Sequence, residues 1–76
     1  MPRVVPLESL SSGETGRVCS LDGDHEHVVR LEEMGLRAGV EVRMLRTGTP
    51  CLLAIDNQRI TFRGEDAITV LVEVAG

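Results

Sequence analysis

At 76 residues the chain is expected to form one domain over 1–76, with its core between about 7 and 74. A chain this short buries only roughly 60–65% of the surface its unfolded form exposes. That leaves little room for both a core and a recessed catalytic cleft. The net charge of −4 argues against nucleic acid, because phosphate neutralisation needs a basic face, and a single aromatic residue, Phe62, makes no stacking platform.

Apolar residues at 42% and charged residues at 26% are ordinary for a globular domain. The longest uncharged stretch, Thr47–Ile55, contains Gly48 and Pro50 and is far short of the roughly 20 apolar residues of a membrane span. Met1-Pro2-Arg3-Val4-Val5-Pro6 lacks the apolar run of a signal peptide, so a cytoplasmic location without membrane insertion is expected. In that compartment Cys19 and Cys51 are expected to be reduced, mostly buried thiols. They are too sparse for a zinc site.

In chain order, Pro6-Leu7-Glu8-Ser9-Leu10 reads as a lead-in that lays Leu7 and Leu10 on the core. Ser11-Ser12-Gly13-Glu14 is a turn. Thr15 to Leu21 reads as the first long strand, and Gly16 within it implies a bulge or a close backbone approach. Asp22-Gly23-Asp24 ends that strand and opens a helix at about 24–34, with Asp22 or Asp24 placed to cap it. Val28, Leu31 and Met34 form one apolar stripe. Gly35 falls at the left-handed C′ position and Leu36 at C″, opposite Leu31 at C3, the pattern of a Schellman stop.

The period then changes from helical to alternating. Val40, Val42 and Met44 make one strand; Leu53 and Ile55 lead to a tight turn at Asp56-Asn57-Gln58; Ile60 and Phe62 alternate with Arg59, Thr61 and Arg63. A turn at Gly64-Glu65-Asp66-Ala67 precedes a closing strand with Ile68, Val70, Val72 and Val74 on one face. Five short strands and one interrupting helix predict a mainly β fold, a small closed barrel.

Arg30-Leu31-Glu32-Glu33-Met34-Gly35-Leu36-Arg37-Ala38-Gly39-Val40-Glu41-Val42 resembles the central signature of FeoA proteins, RL-x-x-(L/M)-G-(L/I)-x-x-G-x-x-V. Leu7-x-x-Leu10-x-x-Gly13-Glu14 resembles that family's opening, Gly16-x-Val18 its first core strand, and Ile60 to Ala67 its later (I/L)-x-(L/I)-R-x-x-(E/D)-A segment. Phe62 stands where an aliphatic residue is commoner, and Cys51-Leu52-Leu53 is unusually apolar. The resemblance covers nearly the whole chain. It implies a five-stranded SH3-like barrel and a non-enzymatic cytosolic accessory of bacterial ferrous iron uptake. The implied partner is FeoB, a membrane transporter with a GTP-binding domain, and weak self-association is compatible with the resemblance. The alternative is a metal-responsive or weakly metal-binding module related to the C-terminal SH3-like domain of iron-dependent repressors. Gly35, Gly39, Leu31 and Leu36 serve the fold in this reading.

Two candidate sites follow. Arg30, Glu33, Arg37, Arg43 and Arg63, charged positions on or beside the signature, are the expected partner-binding residues. Asp22, Asp24, His25 and His27 make a candidate site for Fe²⁺ or another divalent ion, although no cofactor is required. On a helix His25 and His27 project roughly 200° apart, and the positive helix end disfavours a cation, so cap residues with solvated histidines is the preferred reading. A Cys–His nucleophilic pair is disfavoured because strand alternation turns at least one cysteine into the core. The chain also has no phosphate-binding glycine loop.

Overall fold

A computed structural model describes residues 1–64 and 68–75. The expected turn at 64–67 therefore lies largely outside the described residues. The strands are β1 (Arg3–Pro6), β2 (Thr15–Gly23), β3 (Glu41–Arg46), β4 (Cys51–Ile55), β5 (Gln58–Phe62) and β6 (Ile68–Val74), with one helix, α1 (His25–Glu33), and a 3₁₀ turn at Leu7–Ser9. They form one antiparallel sheet in the order β1-β6-β2-β3-β4-β5.

The five expected strands are present as β2 to β6, and β1 is a sixth that the sequence reading missed. Its prolines hid it: Pro6 ends β1 opposite Leu71, a position open to proline because β1 lies at the sheet edge. The expected closure is also corrected. Among the described residues β1 and β5 remain separate edges, not paired with each other.

The strand β2 holds the sheet together by changing partners along its length. Thr15–Arg17 pairs with β3, and Arg17–Gly23 pairs with β6. The register slips between Val18 and Ser20, leaving Cys19 in a bulge that bends the strand. The bulge falls at Cys19, whereas Gly16 provides the close approach. A Cβ there would lie 3.1 Å from Val72 Cγ2 and 3.3 Å from the Glu73 carbonyl oxygen.

Alternation builds the core as expected. Val42 and Met44 of β3, Cys51, Leu53 and Ile55 of β4, Phe62 of β5 and the four apolar residues Ile68, Val70, Val72 and Val74 of β6 are buried. Leu7 and Leu10 join them from the lead-in. Among the described residues no polar or charged side chain is buried, so the core stabilises by apolar area alone, at about 25 cal/mol per Å².

The helix α1 has no fully buried residue; Val28 and Leu31 pack half-buried against the core. Its stop is the predicted Schellman motif. The Leu36 N–H donates to Leu31 O at 3.0 Å and the Gly35 N–H to Glu32 O at 3.0 Å, with Gly35 at φ +103°. A Cβ on Gly35 would meet only Ile55 Cγ2, at 3.9 Å, so space is not the constraint. Gly35→Ala should therefore cost about 1 kcal/mol through backbone strain, read as a lower urea midpoint with an unchanged slope. A stabilising effect would mean that the helix tolerates continuation past Met34.

Candidate partner-docking surface

The Schellman stop places the last turn of α1 beside the end of β5. Between them lies a groove of about 250 Å³, with His27, Arg30, Leu31 and Met34 on its helical wall. Thr61, Phe62 and Arg63 form the opposite wall, and Ile68 contributes from the start of β6. Phe62 and Ile68 are buried, Leu31 and Met34 half-buried, and Arg30 and Arg63 exposed. The result is an apolar floor under a cationic rim.

The five charged residues expected to bind a partner do not share one face. Arg30 and Arg63, far apart in sequence, meet at this groove. Arg37 turns back on the helix end, its Nε donating to Glu32 O at 2.9 Å, a second donor to the carbonyl that already accepts the Gly35 N–H. Glu33 is exposed in the last turn but does not line the groove. Arg43, on β3, borders a separate recess of about 360 Å³ with Thr15, Glu41 and Asp56. Phe62, Met34 and Thr61 were missed as groove residues. Phe62, the one aromatic residue, was the available signal, since aromatic residues are enriched at interfaces.

A larger recess of about 440 Å³ lies near the chain ends, bordered by Arg17, Glu41 and Glu73. In the sheet register Arg17 faces Glu41 on one side and Glu73 on the other. The two carboxylates flank the one guanidinium and leave that face without a strong charge of either sign.

The acidic, histidine-containing segment is divided between two elements. Asp22 belongs to β2, which runs two residues further than expected, and His25 begins α1. Asp24 occupies the N-cap position but makes no side-chain capping bond, a correction to the expected cap. Its Oδ2 instead lies 2.8 Å from His27 Nδ1, a hydrogen bond that becomes an ion pair only when the imidazole is protonated, with both side chains about half exposed. Such an exposed pair contributes at most about 1 kcal/mol. Among the described residues no three His, Cys, Asp or Glu side chains gather as metal ligands.

Neither thiol meets a histidine. Cys19 is exposed, contrary to the expectation of mostly buried thiols, because the bulge turns it off the core face; its Sγ–H faces Arg17 O at 3.7 Å. Cys51 is buried and donates to Phe62 O at 3.3 Å.

The FeoA domain family model matches residues 5–74. The chain belongs to the FeoA family. A crystal structure of an iron uptake regulatory protein, FeoA, is 27% identical, with a TM-score of 0.84 over 95% of this chain and 100% of that one. The FeoA protein of Chlorobium tepidum, solved by NMR, is 26% identical with a TM-score of 0.76, over 90% of this chain and 70% of that one. The IdeR protein of T. acidophilum shares the fold at 19% identity, with a TM-score of 0.84 over 95% of this chain but 34% of its own. No curated protein matches the sequence. The mainly β, SH3-like FeoA fold inferred from the motifs is thus the fold of this chain. Among the described residues no helix is long and apolar enough to cross a membrane.

Burial pushes the Cys51 thiol above its ordinary 9.0, and Glu8 adds to the rise, while backbone hydrogen bonds at Cys51 and Phe62 oppose it. A raised folded-state value means the thiol's contribution is complete below the unfolded value and is lost as pH climbs through the folded one. Unfolding free energy measured in urea should therefore fall from about pH 9 upward, and Cys51→Val should flatten that fall. The chain has no tyrosine and no lysine to obscure it. A thiol reagent should label Cys19 at once in the native protein and Cys51 only after denaturant is added.

Proposed function

We propose that this protein is a non-enzymatic accessory of ferrous iron uptake that works at the cytosolic face by binding the FeoB transporter. The observation that carries the reading is the FeoA family match over residues 5–74. The similar solved protein described as an iron uptake regulatory protein supports the same process. A partner-binding mode of action fits the physical features: a small SH3-like sheet, an exposed cationic groove, and no Cys–His contact at either thiol among the described residues. Arg30 and Arg63 are the residues of this chain proposed to meet the partner.

The test is binding of the purified chain to the cytosolic domain of FeoB from the same organism, with and without GTP and Fe²⁺. Saturable binding in the range of roughly micromolar Kd is expected, typical of a transient regulatory contact. No binding in any nucleotide or metal state would overturn the reading.

A further inference from the structure

We propose that the edge of β5 beside α1 is a strand-addition site for an extended, acidic and apolar segment of a partner protein. The inference deepens the docking reading above and rests on its premise that the protein works by binding a partner.

The backbone makes the first argument. Ile55 pairs with Gln58 across a two-residue turn, followed by Leu53 with Ile60 and Cys51 with Phe62. In an antiparallel ladder hydrogen-bonded pairs alternate with non-bonded ones, and the pair closing a two-residue turn is a bonded one. Gln58, Ile60 and Phe62 therefore spend their backbone groups on β4. The N–H and C=O of Arg59 and Thr61 face outward, where β5 has no strand neighbour among the described residues. The other edge, β1, is blunted by Pro6 and preceded by Pro2; β5 contains no proline. An open row of donors and acceptors is what an added strand pairs with.

Charge selects the occupant. Thr61 and Arg63 border the groove, so a strand laid along this edge would run between β5 and α1. There it would meet Arg30 and Arg63 at the rim, with Arg59 exposed on the edge itself. None of these arginines takes part in an ion pair among the described residues. Among the described residues no carboxylate lines the groove, and Glu8, which lies close to Gly64, is not part of its lining. A second copy of this chain is a poor occupant, because joining β5 to β5 would set the arginines of one copy against those of the other. Alternate side chains of an added strand point to opposite faces. Apolar residues can then face Met34 and Phe62 while aspartate or glutamate residues face the guanidinium groups.

The experiment follows amide resonances of the isotopically labelled full chain while a short synthetic peptide of alternating aspartate and valine is added. Expected are shifts confined to Arg59 through Arg63 and Arg30 through Met34, and affinity that falls as salt rises. Arg30→Glu and Arg63→Glu should each weaken binding by roughly tenfold, while Arg46→Glu, an equal change of charge away from the groove, should not. Matching melting temperatures of these variants would show that folding is not what changed. The same peptide N-methylated at alternate amides should not bind, because it cannot pair with an edge.

Equal binding of the N-methylated peptide, equal binding of a lysine–valine peptide, shifts centred on the Arg17 recess, or dimerisation of the chain through β5 would each overturn the proposal. If the FeoB domain binds Arg30→Glu and Arg63→Glu as well as the unaltered chain, this site falls and the docking reading stands. If the peptide binds as expected but FeoB does not, the site stands and the FeoB reading falls.

Discussion

Leu36 leaves α1 with its N–H bonded to Leu31 O at 3.0 Å and its side chain fully buried. That single reversal directs the chain. The left-handed Gly35 lets the backbone turn without a Cβ penalty, and burial of Leu36 anchors the turn from below. The next backbone bonds, Gly39 N–H to Val18 O at 2.8 Å and Val18 N–H to Val40 O at 2.9 Å, then tie the outgoing chain to β2. From there β3 has one direction available. The position of α1 against the sheet, and hence the groove beside β5, follows from the same stop.

The sheet is arranged around β2, which serves β3 with its first residues and β6 with the rest. A strand that divides its pairing in this way must bend, and the bulge at Cys19 supplies the bend. The bend also explains the two cysteines' different settings. Cys51 keeps the regular alternation of β4 and lies inside, whereas Cys19 falls where the alternation breaks and lies outside. Two edges remain. One is protected by proline; the other carries arginine and borders an apolar groove, an unequal treatment consistent with one edge being shielded and the other used.

Net charge and local charge point in different directions here. The chain as a whole is acidic, at −4, yet the groove rim gathers cations from α1 and the end of β5. Long-range steering by the whole molecule is therefore weak for an acidic partner, and recognition depends on the few ångströms around Arg30 and Arg63, where screening is least. Arg37, by contrast, spends its guanidinium on the helix end, so charge at a signature position is not by itself a sign of docking.

The local elements were legible in the sequence. The helix stop, the strand alternation and the inward set Val42, Met44, Leu53, Val70 and Val72 each depend on neighbouring residues, whose spacing carries the 3.6 or 2.0 period directly. The family followed from motifs of the same local kind. What only the tertiary structure decided was non-local: β1 as an edge strand despite its prolines, the open rather than closed sheet, the exposure of Cys19, and the meeting of Arg30 with Arg63. Asp24 illustrates the difference within one turn, since the sequence marked it as a cap and the folded chain gave its carboxylate to His27. Spacing along the chain specifies which residues share a face of one element. Which faces of different elements meet depends on register and packing, and those are set when the whole core closes at once.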